Sequence, residues 1–322
     1  MSRPIRFLAQ LTLLVASALA VTHAWAAYPD HPVRIIVPFS AGGFTDSLAR
    51  IMAQELSRKW NQPVIVENKA GGGSNIGADL AAKAPADGYT LLLTGINHTI
   101  NAGLIPNLPF DPVHDFVPVV LMVSTPNLLL VNPSVQASSV SEFVALVRAN
   151  PGKFNYGSSG IGSSPHMQGE LFKQTFGLQM THVPYKGSSQ ALTDMLAGSV
   201  QVMFDNYMFE LPHAKSGKVR PIAITARKRS DALPDVPTME ELGIAGFERG
   251  PWFGFLAPAK TPPSIVRQVN ADVNAILLQR DVQEKLTGTE IIGGSPQEFQ
   301  ATLDQEFAKW GRLIRELNIK PD

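Results

Sequence analysis

Apolar and polar positions along the chain switch repeatedly between two periods. A β-branched run at 33–37 gives way to a polar, glycine-containing stretch, after which Leu48, Ile51, Met52 and Leu56 recur at helical spacing within 45–59. A second run at 64–66, a glycine-rich segment at 71–77 leading into a helix over 77–83, and a third run at 90–94 follow. Strand, helix, strand, helix, strand in that order predicts a parallel sheet flanked by helices.

The same grammar restarts further on. Ser139 and Glu142 have the spacing of a capping box, opening a helix that ends before Pro151. A strand at 154–156 leads through a Gly/Ser-rich loop to a helix with Ser164 as cap and Pro165 at its first position, closed by Gly177. A strand at 182–185 precedes a helix capped by Ser188 and closed by Gly198, and strands at 200–204 and 221–225 follow. The last third holds one strand at 252–257, a long helix after Thr261-Pro262 with Ile265, Val266, Val269, Val273, Ile276 and Leu277 on its inner face, and a terminal helix opened by the Ser295/Glu298 capping box. Its elements are too few for a third unit, so it is expected to pack on the first. The expected division is lobe 1 over 27–125 and 228–322 and lobe 2 over 126–227.

The N-terminus stands apart from this pattern. Arg3 and Arg6 precede an apolar run at 7–21, and Ala24-Trp25-Ala26 has the small-residue form of a cleavage site. That is the order of a secretory signal peptide over 1–26, and the run is shorter than the ~20 apolar residues of a membrane span. The stretch 116–131 is also apolar, but Pro118 and Pro126 interrupt it. The expectation is an exported protein.

Composition narrows the chemistry. The 322 residues carry 27 Lys+Arg and 27 Asp+Glu, and removing 1–26 takes two arginines and no acid, which leaves 25 against 27. A chain near neutrality has no global attraction for nucleic acid, and none is expected as a partner. There is no cysteine, so no disulfide, thiolate metal site or cysteine nucleophile. Gly71, Gly73 and Gly77 miss the dinucleotide fingerprint because Ile76 occupies a required glycine position, and no Walker lysine follows. Ile161 spoils a serine-nucleophile elbow at 157–161. The histidines have no metal-ligand spacing, and no cofactor or metal is expected.

Four strand-to-helix junctions remain, at 38–46, 94–99, 157–165 and 185–189, all rich in Gly, Ser, Thr and Asn. In a parallel α/β sheet these lie together at the carboxyl edge, where ligands bind. Each offers free backbone N–H groups at the positive end of a helix, a fit for an anion of modest size. His98, His166 and His182 sit in or beside these loops, as donors to a carboxylate or as packing histidines. Asp205-Asn206 ends a strand, where the acid suits an amino or hydroxyl group or a helix cap. Trp252, Phe253 and Phe255 read as core.

With these residues laid out, the chain resembles the Bug-type extracytoplasmic solute receptors of tripartite tricarboxylate transporters. The resemblance runs through Tyr28-Pro29, the stretches 39–46, 66–77, 86–91, 151–160, 183–187 and 233–238, and Trp252 to Ala259. It implies an α/β, two-lobed periplasmic binding protein of type II, a Venus flytrap, that captures a small organic acid as a monomer and passes it to the large and small membrane subunits of a permease. Contacts implied by the resemblance are Ser40, Ala41, Gly42, Gly43, Thr45, Asp46, Thr94, Ser159, His166, Tyr185, Lys186, Gly187 and Asp205, with Phe44 shaping the distal pocket. Two other expectations stay open: a ligand sensor for a membrane signalling partner, and a secreted hydrolase using Ser159 or Ser164 with His166.

Overall fold

Residues 28–247 and 250–321 are described by the computed structural model; the signal-peptide expectation falls outside them. The chain begins with β1 (Val33–Val37), α1 (Phe44–Trp60), β2 (Val64–Asn68), α2 (Asn75–Ala82), β3 (Thr90–Gly95), α3 (Asn97–Leu104) and β4 (Phe116–Ser124). It continues through β5 (Asn127–Val131), α4 (Val140–Ala149), β6 (Phe154–Ser158), α5 (Ser164–Phe176), β7 (Met180–Pro184), α6 (Ser188–Leu196), β8 (Val202–Asn206), α7 (Tyr207–Lys215) and β9 (Arg220–Ile224). It ends with β10 (Trp252–Pro258), α8 (Pro263–Leu277), α9 (Arg280–Lys285), β11 (Glu290–Ile291) and α10 (Pro296–Glu316).

These strands build two sheets, ordered β11-β4-β10-β3-β1-β2 and β7-β6-β8-β5-β9. The expected parallel halves are there: β2, β1 and β3 run parallel, as do β7, β6 and β8. The sheets as a whole are mixed. β10 is antiparallel to β3 and β4, and β5 is antiparallel to β8 and β9. The reason is the connection. Only Thr125 and Pro126 separate β4 from β5, whereas a parallel crossover within one sheet needs a dozen or more residues. The short link instead carries the chain from one sheet to the other.

Two strands, β4 and β5, occupy the apolar stretch where the sequence named none. Pro118 lies within β4 opposite Leu256, beside an irregularity in the β4–β10 register, the kind of position that tolerates a missing N–H. The caps at 164 and 188 shift by one residue. Ser163 caps α5, its Oγ accepting the His166 N–H, and Gly187 occupies the N-cap of α6 without a side-chain bond. The Ser295/Glu298 capping box is present as expected.

Both faces of each sheet are covered, and the strand alternation sorts side chains between them. Ile35, Leu91 and Leu93 join α1 and α8 in one cluster, while Ile36 and Leu92 join Ala78 and Ala81 of α2 and Phe299 and Leu303 of α10 on the opposite face. In the second sheet Leu129 and Val131 face α4 and Phe172 of α5, while Leu128 and Leu130 face α6. Val266, Val269, Val273 and Ile276 of α8 complete the first of these clusters, so the C-terminal third packs on the first sheet.

Candidate ligand-binding site

Between the two sheets lies a cleft with about 550 Å³ of empty space, part of it open to solvent. One wall is the segment from Phe39 into the start of α1, with Ile96 and Asn97 beside it. The facing wall is Ser159, residues 163–165, Ser188, Asp205 and Asn206, and the crossover residues Asn127, Pro251 and Phe253 close the back.

The α1 end of the cleft is built for an anion. Gly43 is the N-cap with extended backbone and no side-chain cap, and the first intrahelical bond runs from Ser47 N–H to Gly43 O at 3.0 Å. The amides of Phe44, Thr45 and Asp46 therefore have no partner within a 17-residue helix. α3 and α6, whose first residues also reach the cleft, likewise lack side-chain caps.

Asp46 lines this end but spends its carboxylate on the loop. Oδ2 accepts Gly42 N–H and Arg50 Nε at 3.0 Å each, and Oδ1 accepts Asn68 Nδ2 at 3.0 Å. Asn68 also donates to Phe39 O. Burial alone would raise the Asp46 pKa, but Arg50, Gly42 N–H and Asn68 together hold it below the usual carboxylate range. It works as a brace that fixes the 39–46 turn.

The facing wall keeps unsatisfied polar atoms. Asp205 Oδ1 accepts the Ser188 hydroxyl at 2.8 Å, and the Glu210 side chain and the Asn206 backbone N–H also hydrogen-bond to this carboxyl group. Asn206 Oδ1 caps α7 through Met208 and Phe209 N–H, which leaves its buried Nδ2 unpaired. Ser40 Oγ on the opposite wall is also buried and unpaired. Burial pushes the Asp205 carboxyl up to about 6. Among the described residues, no Lys, Arg or His lines the cleft.

Of the residues expected to bind, Ser40, Gly43, Phe44, Thr45, Asp46, Ser159 and Asp205 come together at the cleft. The other positions lie around it. Ala41 and Gly42 are exposed at the rim, where Ala41 O accepts Ser189 Oγ at 3.0 Å. Thr94 is buried behind Asn97, whose amide donates to it and to Ser74 Oγ. His166 is fully buried; its Nδ1 accepts Gly162 N–H and its ring stacks on His182. Tyr185 donates to Asp194 at 2.6 Å, and Lys186 takes part through its carbonyl, which accepts Ser40 N–H. Gly187 abuts Ser40.

Some lining residues were not anticipated. Asn127 and Pro251 sit at the two inter-sheet connections and carry no local motif. Phe253, read as core, is half-buried and meets the Phe44 ring edge-on at 4.8 Å between centroids. Alternation along 252–257 held the signal for Phe253, since its neighbours Trp252 and Gly254 are buried on the other face. Among the described residues no group of three or more His, Cys, Asp or Glu is placed to hold a metal, and no helix is long and apolar enough to cross a membrane.

Residues 48–319 match the family model described as "Tripartite tricarboxylate transporter family receptor". Protein BugT of Bordetella pertussis is 36% identical over 98% of both chains. Among solved structures, the periplasmic binding protein BugD superposes with a TM-score of 0.88 at 33% identity, covering 91% of this chain and 99% of that one. A Rhodopseudomonas palustris protein with adipate gives 0.87 at 37% identity, with 92% and 100% covered. MatC of the same organism, with bound malate, gives 0.85 at 33% identity, with 89% and 100% covered.

Proposed function

The chain belongs to the tripartite tricarboxylate transporter receptor family, and from that membership we propose that it is a periplasmic receptor that captures a small organic carboxylate and delivers it, without turnover, to the membrane subunits of such a transporter. The observation that carries the proposal is the uncapped N-terminus of α1 opening into a cleft that, among the described residues, is lined by no basic side chain. A carboxylate is then held by oriented backbone N–H groups of Phe44, Thr45 and Asp46, with Ser40 and Ser159 as hydroxyl partners. Adipate and malate, found on two relatives, have a carboxylate at each end. The two lobes are 27–125 with 228–322, and 126–227, and they close on the ligand with Ala41, Gly42, Lys186 and Gly187 at the rim. Thr94, His166 and Tyr185 support the lining residues from behind.

Binding to the native state alone raises stability by about 2.7 kcal/mol at a ligand concentration a hundredfold above Kd. A thermal-shift screen of mono-, di- and aromatic carboxylates is expected to give a saturable rise in Tm with at least one acid. No shift with any of them rejects the proposal. N-terminal sequencing of the exported protein is expected to begin at Ala27, after removal of 1–26.

A further inference from the structure

Two helices that line the cleft with their first turns meet each other one turn further on. α3 brings Asn97 to the cleft and then Ile100, Asn101 and Leu104, while α5 brings Ser164 and Pro165 and then Met167. Ile100, Leu104 and Met167 are buried in one cluster, so α3 of the first sheet unit touches α5 of the second behind both walls. The main chains close in as well. A Cβ on Gly73 would press on Ile161 O, and one on Gly162 would overlap Asn101 Oδ1.

The end of α10 ties this seam. α10 packs on α3 and β4 of the first unit, and it ends in a Schellman motif. Asn318 has a φ of 48, Ile319 N–H donates to Ile314 O at 3.1 Å, and Asn318 N–H donates to Arg315 O at 3.2 Å. The turn folds Ile319 back beside Ile314 and leaves the Leu317 carbonyl without a donor in its own helix. The second unit engages both residues. Leu317 O accepts Gln174 Nε2 of α5 at 2.7 Å, and Ile319 is buried in the cluster that holds Met167, with Leu317 packed against it. Gln174 is exposed, so its bond competes with water and the apolar cluster carries most of the contact.

We infer that Leu317 to Ile319 form a strap that holds the two cleft walls together, and that Ile319 is a positioning residue for the bound acid although it lies outside the cleft. It acts through Met167, which fixes the first turn of α5 and with it Ser163, Ser164 and Pro165 on the facing wall. Apparent affinity falls with the fraction of molecules whose walls are together, so a receptor without the strap binds the same acid more weakly. The affinity effect rests on the carboxylate-receptor proposal; the effect on the distance between the two units does not.

Because the chain has no cysteine, Gln54→Cys on α1 and Ala145→Cys on α4, both exposed positions, take spin labels on opposite units. Electron–electron double resonance of the ligand-free full chain is expected to give one narrow distance, and the chain ended at Glu316 a longer and broader one. The acid with the largest thermal shift among adipate, malate and benzoate is then titrated. Its Kd is expected to rise about tenfold or more in the shortened chain. The rise comes through faster dissociation, with the association rate changed less than about threefold, and saturating acid restores the narrow distance. Ile319→Leu, which refills the cluster, is expected to bind within about threefold of the native chain, so rescue by a conservative change separates positioning from a general loss of stability. Should the shortened chain fail to fold, Met167→Ala opens the same seam from α5 and is expected to widen the distance in the same way. A distance that stays native in the variant that folds, a distance already broad in the full chain, or a Kd that does not move overturns the inference. If none of the three acids binds the native chain, the carboxylate proposal falls, and the distance measurement alone decides the strap.

Discussion

The backbone N–H of Ser40 donates to the carbonyl of Lys186 at 3.0 Å, which ties the loop before α1 in one sheet unit to the loop before α6 in the other. Ser189 Oγ adds a second tie to Ala41 O at 3.0 Å. Neither bond needs a charged side chain. Both need main chains that approach closely, and that makes the residue between Lys186 and Ser188 decisive.

Gly187→Ala therefore acts through space. The backbone at 187 is extended, with φ 165, a conformation alanine adopts freely, but a Cβ there would overlap Ser40 Oγ. The two loops are expected to stay apart, lowering carboxylate affinity tenfold or more, about 1.4 kcal/mol, with Tm of the ligand-free protein nearly unchanged. Calorimetric titration beside a melting curve checks both, and an unaltered Kd counts against this role for the contact.

Asp46→Ala removes the brace rather than a ligand contact. The Arg50 side chain is 56% exposed, so the ion pair itself contributes little. The loss comes from the Gly42 N–H and Asn68 bonds to a carboxylate that is 5% exposed. We expect a destabilisation of about 2 kcal/mol and weaker binding, read as a lower urea midpoint and a higher Kd. A Kd effect without any loss of stability would instead mark Asp46 as a direct contact.

Phe253→Ala opens the back of the cleft. Phe253 is half-buried against Phe44, so the cost is expected at about 2 kcal/mol, below that of a fully buried phenylalanine. Small acids should lose affinity more than bulky ones, which can fill the new space. Equal losses across ligand sizes would place Phe253 in the scaffold alone.

His98 predicts an acid-side loss of stability. It is buried among Phe110, Phe116 and Phe307, and its Nε2 donates to Pro112 O at 2.8 Å. Burial lowers its pKa to about 4, against about 6.5 in the unfolded chain. The unfolded state takes up the proton first, so this contribution is complete above pH 6.5 and is lost as pH falls toward 4. It is worth up to about 3 kcal/mol. Asp205 and Glu210, whose pKa values are raised, act in the opposite sense over part of that range, so the comparison must be with His98→Gln. That variant is expected to show a flatter dependence of its urea midpoint between pH 6.5 and 4; an identical slope rejects the assignment.

The loop chemistry was legible because it is local. Small residues before a helix must leave its first amides free, whatever the rest of the chain does, and Gly43-Phe44-Thr45 could be read that way without coordinates. Exact caps were less legible. Ser163 and Ser164, or Gly187 and Ser188, are both acceptable cap types, and the choice falls to neighbours far along the chain: Asn127 Nδ2 engages Ser164 and Asp205 engages Ser188.

By itself the sequence determined the strands β1 to β3 and β6 to β8, the amphipathic faces of α1 and α8, and the presence of anion-suited loops. These follow from periodicity and from backbone groups a few residues apart. Tertiary structure alone decided that the sheets are mixed, that Asn127, Pro251 and Phe253 close the cleft, and that Thr94, His166 and Tyr185 stand behind it. Each of those outcomes depends on where the chain crosses between the two sheets. Segments more than a hundred residues apart meet there, and no local pattern encodes which of their faces will look into the space they enclose.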